Sequence, residues 1–592
     1  MTELRERAQL LPEPELPDIA VLIAKGRKLA ETVTPGRNAF LDHYGVDSEA
    51  EYKRRCVAEG RVMLHAHIGF NDAAKTARAC AEIWEALDKK GYRIDRFGYC
   101  FDENMGYPPH MRAKMGKGAS LILEKDEDWL RLTRAAPVAP HFGDYMIGQP
   151  AAVENASMAI QAGATTMGNL GSYYAYRMLY MDDDVAMTAA IIEALALVAA
   201  QPAEIVVTAN TDDGFGPLFT DLSCNFGLVL VEQRIVETLM GARYASVFGN
   251  MFADPMTRMA FQRALGRMGN HPGPMVYGST TKFDRDHTAN RAVLANYLTF
   301  DIAAQRLAPS GHAVTPIPVT EYERIPDTDE IIDVHLFANR LIERAHTVEP
   351  MLNIEAVDAV ADDLVAGGER FRDNLLKGFA EAGIDTDNPL ELLLAIRRTG
   401  AKNLESWFGP GELDEASPRG RRPIVLVENI AELDSLGAEV LGDLPEEQAA
   451  AIRDRGYTAC VATTDVHEYG KILLEQVMRG LDVAVLDGGV SADPDDLVAA
   501  ALAGEADFIA LSTNNGIALS YLTKLRAEMA KAGLDIPIYL GGRLNQVPEG
   551  SNTSLPVDVS AKLRDAGAVT CENLPDLLGR MAETAGPSDR AA

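Results

Sequence analysis

The sequence predicts an α/β protein in which a (β/α)8 barrel is followed by a smaller Rossmann- or flavodoxin-like domain. Three observations predict it. From VMLHAHIGF at 63–71 onward, short apolar, β-prone runs alternate with longer helical stretches, and alternation sustained over roughly 300 residues suits eight parallel strand–helix units. The segment GPGELDEASPRGRRP at 409–423 is dense in glycine, proline and charge and breaks that rhythm. A second, shorter alternation then starts at YTACVAT, 457–463. A chain of 592 residues also exceeds one compact domain and calls for two or three.

In chain order, residues 1–60 are polar with helical spacing and read as a leading arm. Residues 61–408 form the expected barrel, the substrate domain. Its strands include VMLHAHIGF, RFGYCF (96–101), AEIVVTAN (203–210), ARYASVFGN (242–250) and GPMVYGST (273–280). Runs such as DDVAMTAAIIEALALVAA (183–200) and PMTRMAFQRALGRM (255–268) are helices between them. Residues 409–455 are expected as a linker region, with 409–423 a hinge. Over 456–585, YTACVAT, DVAVLDGG (482–489), DFIALST (507–513) and IPIYLGG (536–542) are strands of a small doubly wound sheet, with helices between them.

Composition narrows the function classes. Hydrophobic content of 47% and charged content of 24% fit a soluble globular protein of enzyme size. The 87 acids outweigh the 56 bases, for a net charge of −31. That field repels nucleic-acid phosphates and anionic membranes, so neither is expected as a partner. Cys56, Cys80, Cys100, Cys224, Cys460 and Cys571 are scattered, without a C-x-x-C pair, which argues against structural zinc, an iron–sulfur cluster and a disulfide scaffold. The charged, proline-punctuated start and the lack of a long apolar run lead us to expect a cytoplasmic protein without a membrane span.

Ligands of open parallel sheets bind beyond the carboxyl ends of the strands. In the second domain three loops at that edge stand out: Asp465-Val466-His467-Glu468-Tyr469-Gly470, Ser512-Thr513-Asn514-Asn515-Gly516 and Gly541-Gly542. Gly470 and the glycine pair let backbone pass close to a ligand. Asp465 two positions from His467 either orients the imidazole as a metal ligand or caps the following helix, with His467 on the surface of its first turn.

The D-x-H-x-x-G string, the serine 42 residues after Gly470 and the G-G pair 29 residues after Ser512 together resemble the cobalamin-binding domain of mutases and methionine synthase. The resemblance implies a cobalt cofactor. His467 is then its lower metal ligand, Asp465 tunes that ligand, and Gly470, Ser512, Gly541 and Gly542 line the slot for the nucleotide tail. One departure is Ser512-Thr513-Asn514 where the family often has S-x-L. Methyltransferases of this kind usually carry a helical cap and often zinc. The stretch 425–456 is too short for such a cap, and the barrel-sized region upstream favours a mutase with adenosylcobalamin; a corrinoid-dependent methyltransferase is the alternative. A cobalamin-dependent sensor fits poorly, because no DNA-binding module is evident.

QAGATTMGNLGSYYAYRM (161–178), FGPLFTDL (215–222), SVFGN (246–250) and TEYERIPDT (320–328) resemble, in order, segments of the large subunit of glutamate mutase. The chain is similar to a fused, single-chain member of the glutamate mutase and 2-methyleneglutarate mutase group. That resemblance implies an isomerase, an intramolecular transferase that rearranges the carbon skeleton of a small acid by radical chemistry, and a homodimer is a guess from the relatives. It assigns Glu321 to the adenosyl ribose and Tyr174 to the substrate. The family's three substrate-binding arginines, however, fall near His67, Tyr107 and Pro140, and its amine-binding glutamate falls near Gly168. A dicarboxylate needs several fork-shaped cationic donors, so the expected substrate is not glutamate. The catalytic candidates are His67, His141, Tyr174 and Tyr107, with His65, His110, Arg177 and the group Asp102, Glu103 and Asn104 beside them at strand ends.

Overall fold

The computed structural model describes residues 6–115, 120–175, 178, 180–181, 183–211, 218–250, 252–415, 417, 419–464, 468–514, 516–546 and 557–583. The chain divides into two compact units, 1–175 with 183–429, and 430–592 with 176–182.

The first unit is a mixed α/β body with parallel strands. Strands β1 (His65–Ile68), β2 (Arg96–Tyr99), β3 (Ala139–Phe142), β4 (Thr166–Met167), β5 (Val206–Ala209) and β6 (Arg243–Ser246) follow one another in sequence order in one parallel sheet. Strands β7 (Met275–Val276) and β8 (Ala313–Val314) pair in parallel with each other. Two isolated parallel bridges extend the pairing: Phe248 to Val276, and Leu64 to Val314. The strands expected from VMLHAHIGF, RFGYCF, AEIVVTAN, ARYASVFGN and GPMVYGST are all present. Helices Ala73–Asp88, Ala152–Gln161, Asp184–Ala199, Leu222–Gln233, Pro255–Met268 and His287–Leu307 separate consecutive strands.

Residues expected as a leading arm are instead part of this unit's core. Phe40, Leu41, Val46, Tyr52 and Cys56 pack against Met63, Ala139 and Ala313. Helix Glu49–Ala58 starts on a Ser48 cap whose hydroxyl accepts from the Glu51 amide. It buries Glu49 and Lys53, and Lys53 Nζ donates to the Gly273 and Pro274 carbonyls just before β7 at 2.5 and 2.6 Å. Helices Ile354–Glu381 and Pro389–Phe408 follow the last strand. The former crosses Leu222–Gln233 where Gly227 meets Gly368. A Cβ at Gly227 would lie 2.8 Å from the Gly368 oxygen and 2.6 Å from the Phe371 ring, so glycine is what lets the two backbones approach.

Within the expected hinge at 409–423, Arg421 is held by backbone carbonyls, donating to those of Ser406, Gly411 and Trp407. Just beyond it, Asp221 accepts from the amides of Ile424 and Val425. The expected linker also contains helices Glu428–Asp443 and Glu446–Arg453. Ala449 and Ile452 of the latter are buried with Tyr457 and Met478 of the second unit, so 446–453 is part of that unit's core.

In the second unit β9 (Thr458–Thr463), β10 (Ala484–Asp487), β11 (Phe508–Thr513), β12 (Ile538–Gly542), β13 (Asn545–Gln546), β14 (Val557–Asp558) and β15 (Val569–Thr570) occur in chain order. The main sheet runs β10-β9-β11-β12-β15, all parallel. Numbered by appearance that is 2-1-3-4-5, the flavodoxin-like order. Ile509, Leu511, Ile538 and Leu540 pack with Leu497, Leu522 and Leu525, while Val461, Phe508, Ala510 and Tyr539 pack with Val477, Met478 and Leu578. Alternate residues of each strand therefore serve opposite faces, both covered by helices.

Candidate functional site

In the second unit the strand order reverses between β9 and β11, and a crevice opens at the carboxyl ends of such a pair. There the Thr464 amide donates to the Ser512 carbonyl at 2.9 Å, and the Thr463 amide donates to the Gly489 carbonyl at 3.1 Å. Helix Tyr469–Gly480 leaves from this edge. A Cβ at Gly470 would lie 2.3 Å from Ser512 Oγ and 3.1 Å from Ser512 Cβ. Ser512 and Thr513 are in register with Gly541 and Gly542. Gly542 has φ +94°, and a Cβ there would meet the Thr513 oxygen at 2.3 Å. The buried Thr513 Oγ1 has no hydrogen-bond partner among the described residues. Glycine at 470 and 542 is what lets this helix start and these strand ends approach so closely. Asp465, Val466, His467 and Asn515 lie outside the described residues.

The first unit presents a second set of groups. On β1, β2 and β3, His67, Gly98 and His141 stand side by side in register, one step toward the carboxyl ends from His65 and Arg96. Arg96 is fully buried. Its Nε donates to Glu49 at 2.8 Å and its Nη1 donates to His65 Nδ1 at 3.2 Å. A guanidinium only donates, so His65 Nδ1 accepts and its proton sits on Nε2. Gly98 makes room for that ring, since a Cβ there would lie 2.5 Å from His65 Nε2. The His65 and His67 rings meet edge-on at 4.7 Å, and His141 lies 6.5 Å from His65.

These imidazoles are neutral. Burial, then Arg96, pushes His67 down to about 3. Burial, followed by neighbouring positive groups, puts His65 and His141 well below the ordinary value. His67 Nδ1 lies 3.3 Å from Cys100 Sγ. Burial, then Asp144 and Glu321, raises that thiol, so the pair is imidazole and thiol, not imidazolium and thiolate.

A cavity of about 170 Å3 opens at this end, with His67, Cys100, Tyr277, Glu321 and Arg324 among its lining. Arg324 is already engaged by Glu330 through contacts of 2.8 and 2.6 Å. Among the described residues, buried side-chain atoms without a hydrogen-bond partner occur on these strands and in the loops that follow them: His67 Nε2, His141 Nδ1, Gln149 Oε1, Asn210 Oδ1, Ser279 Oγ and Thr315 Oγ1. Such groups are rare in folded proteins unless a ligand or water completes them.

Comparison with known proteins agrees with the second unit's geometry. Residues 455–559 match the family model described as the B12 binding domain. That match supports a cobalamin-binding domain over these residues. Glutamate mutase sigma subunit 1 of Haloarcula marismortui is 33% identical over 84 residues, 14% of this chain and 56% of that protein. The chain thus spans a little over half the length of that relative. The solved structure of a cobalamin-binding protein from Desulfitobacterium hafniense aligns at 20% identity and TM-score 0.20, over 26% of this chain and 71% of that one.

Within the cobalamin-binding domain, Gly470 and Ser512 touch, and Gly541 and Gly542 sit across from Ser512 and Thr513 on the neighbouring strand. In the first unit, His67, His65 and His141 share one cluster and His67 and Glu321 share one cavity. Tyr174 packs beside Tyr173 at 5.4 Å, its phenol raised by burial and then by Glu232. Tyr107 is buried after the turn Glu103–Gly106, and its carbonyl accepts from Arg112 Nε at 2.8 Å. Asp102 caps that turn by accepting from the Asn104 amide at 3.0 Å. His110 is exposed, and Arg177 lies outside the described residues. Gln149, Asn210, Ser279 and Thr315 were not foreseen. The available signal was position: Asn210 and Thr315 are each the polar residue just after a strand.

Proposed function

We propose that the protein is an adenosylcobalamin-dependent mutase in which the cobalamin-binding domain holds the cofactor and the first unit, a (β/α)8 barrel, holds the substrate. The observation that carries this reading is the pairing pattern of the first unit. Six parallel strands run in chain order, and the bridges Phe248–Val276 and Leu64–Val314 link β6 toward β7 and β8 back toward β1, consistent with a closed ring. His67, His141, Asn210 and Thr315, each with a buried side-chain atom lacking a partner among the described residues, lie on or just after these strands, and in this reading that is the end where barrel enzymes carry their chemistry.

Gly470, Ser512, Gly541 and Gly542 cradle the nucleotide tail in this reading, with His467 the cobalt ligand and Asp465 its orienting partner. Glu321 serves the adenosyl ribose. Adenosylcobalamin supplies, when bound, the carbon-centred radical that takes a hydrogen atom from the substrate and gives it back. The chain's own residues bind, orient and exclude water. His67 and His141 are neutral and hydrogen-bond substrate oxygen or nitrogen, and a positioned His67 N–H can assist migration of the neighbouring group. Tyr107 and Tyr174 remain substrate candidates by resemblance.

The test is cofactor choice, which needs no substrate. Visible-absorbance titration of the full chain is expected to give adenosylcobalamin at least tenfold tighter than methylcobalamin, and Glu321→Ala to abolish the difference. Equal affinity, or preference for methylcobalamin, contradicts the mutase and supports a corrinoid methyltransferase.

A further inference from the structure

A buried ion pair stands behind one wall of the cavity that His67 and Cys100 line. Arg258, on helix Pro255–Met268, and Asp301, on helix His287–Leu307, are both fully buried. A guanidinium has five N–H donors, and each of these five has an acceptor. Nε and one Nη2 hydrogen go to the two oxygens of Asp301, at 3.1 and 2.5 Å. Nη1 donates to the Gly249 carbonyl and, at 2.9 Å, to the Phe252 carbonyl. The second Nη2 hydrogen goes to the Tyr277 carbonyl at 2.8 Å. Gly249 and Phe252 lie between β6 and the next helix, and Tyr277 is the first residue after β7. One planar fork thus joins the segments that follow two consecutive strands, and Asp301 fixes the fork. The segment after β8 is reached as well. The guanidinium lies 5.3 Å from the Tyr297 ring centre. The Tyr297 hydroxyl accepts from the Ile317 amide at 3.0 Å and donates to the Thr315 carbonyl at 3.2 Å.

What these bonds fix is the place of Tyr277. Its amide donates to the Phe248 carbonyl at 2.7 Å, so both of its backbone groups are held. Gly249, at φ +111°, lets the loop come this close: a Cβ there would lie 2.7 Å from the Tyr277 oxygen and 3.1 Å from Arg258 Nη2. The Tyr277 ring meets the His67 ring edge-on at 4.7 Å, and His67 Nδ1 lies 3.3 Å from Cys100 Sγ. Tyr277, Ile317, His67 and Cys100 line one cavity of about 170 Å3. A side chain held through its backbone by buried, fully used donors keeps one position, and a wall that keeps one position selects ligands by size.

We propose that Arg258, fixed by Asp301, is the positioning residue of this cavity, and that it sets the Tyr277 ring against His67 as the wall that limits the size of what enters. The bound molecule is the substrate in the mutase reading, and that word alone rests on it; the arrangement lies wholly within the first unit. Cys100 makes the wall measurable. Of the six cysteines, Cys56, Cys80, Cys224, Cys460 and Cys571 are buried and Cys100 is partly exposed. Its thiol lies in the cavity, so its reaction with an alkylating agent reports how much room Tyr277 leaves.

The test compares iodoacetamide with its bulkier N-phenyl form, iodoacetanilide, on the cobalamin-free full chain, each rate divided by that of free cysteine and each site read by peptide mass spectrometry. In the unsubstituted chain Cys100 is expected to react with iodoacetamide at least tenfold faster than with iodoacetanilide. Tyr277→Ala and Arg258→Met are each expected to bring that ratio below threefold. Tyr277→Phe, which keeps the ring, is expected to leave it unchanged, and Arg258→Lys, which keeps the charge but not the fork, to fall between. The five buried cysteines stay unlabelled in a folded chain and report unfolding in the same spectra. Arg258→Met leaves Asp301 buried without its partner; where it unfolds, Gly249→Ala, which keeps both charges and presses on the Tyr277 carbonyl, takes its place with the same expected fall. No size selection in the unsubstituted chain, no labelling of Cys100 by either reagent, or a ratio unmoved in the folded variants overturns the proposal. No cobalamin is present, so that failure removes the positioning role alone, and the mutase stands or falls on the preference for adenosylcobalamin.

Discussion

A methyl group added at Gly470 would lie 2.3 Å from the hydroxyl oxygen of Ser512. The helix starting at Tyr469 and the strand ending at Thr513 therefore touch through a glycine, at the crevice where the sheet order reverses. Substituting Gly470 by Val is expected to raise the cobalamin dissociation constant at least tenfold in an absorbance titration, with far-ultraviolet circular dichroism unchanged. Unchanged affinity in the folded variant removes this contact from the cofactor cradle.

Gly98 plays the corresponding part in the first unit. A Cβ there would lie 2.5 Å from His65 Nε2, and the ring is pinned on its other side by Arg96. Overpacking of this kind costs about 1–3 kcal/mol, so Gly98→Ala is expected to lower the urea midpoint accordingly. Combining it with His65→Ala opens the space, and the double variant is expected to lose less than the two single losses together. Simple additivity contradicts a direct clash.

The buried Arg96–Glu49 contact sets a third expectation. Glu49 is fully buried, and although burial alone raises its carboxyl, Arg96 and Lys53 with the Thr166 hydroxyl bring it below the ordinary value. Replacing Arg96 by Met leaves that carboxylate with Lys53 and the Thr166 hydroxyl and is expected to destabilise by about 3–5 kcal/mol. Glu49→Gln in the same chain is expected to restore part of the loss, measured by chemical denaturation. A cost under 1 kcal/mol shows that the pair is not what holds this layer.

Those charges also mark where the sequence misleads. Glu49 and Lys53 are four residues apart on a helix, a spacing that ordinarily reads as a surface ion pair. Here both are buried, and the stretch expected as an arm is core. Strands of four to six mostly apolar residues, such as Val206–Ala209 and Phe508–Thr513, are legible from β-prone runs. The two-residue strand Thr166–Met167 carries too little pattern to stand out in the sequence. The helix Glu446–Arg453 was lost inside an expected linker because its apolar residues are few. On the cofactor side, glycine and serine spacing made Gly470, Ser512, Gly541 and Gly542 readable. Gln149, Asn210, Ser279 and Thr315 are single polar residues without a motif, and only folding reveals that each buries a side-chain oxygen with no partner among the described residues.

Acid should weaken the fold in a defined window. Burial is the largest cause in each case and holds His67 and His312 down to about 3 and His335 to about 4. Between the ordinary value near 6.5 and those values the unfolded chain takes up protons that the folded chain refuses, so stability falls as pH falls. Each imidazole contributes about 2 kcal/mol of that loss by pH 5. The urea midpoint is expected to drop between pH 7.5 and 5. His312→Gln, which removes a titrating ring bonded to Ser310 and Ser246, is expected to flatten the slope. A midpoint independent of pH across this range contradicts neutral buried histidines.

The most direct test of the account is electron paramagnetic resonance of the full chain loaded with cob(II)alamin, prepared with 15N-histidine and again with unlabelled protein. Ligation by His467 predicts that nitrogen splitting on the cobalt lines changes from triplets to doublets with the label and is lost in His467→Ala. Triplets unaltered by the label mean that the cofactor keeps its own base, and contradict the account.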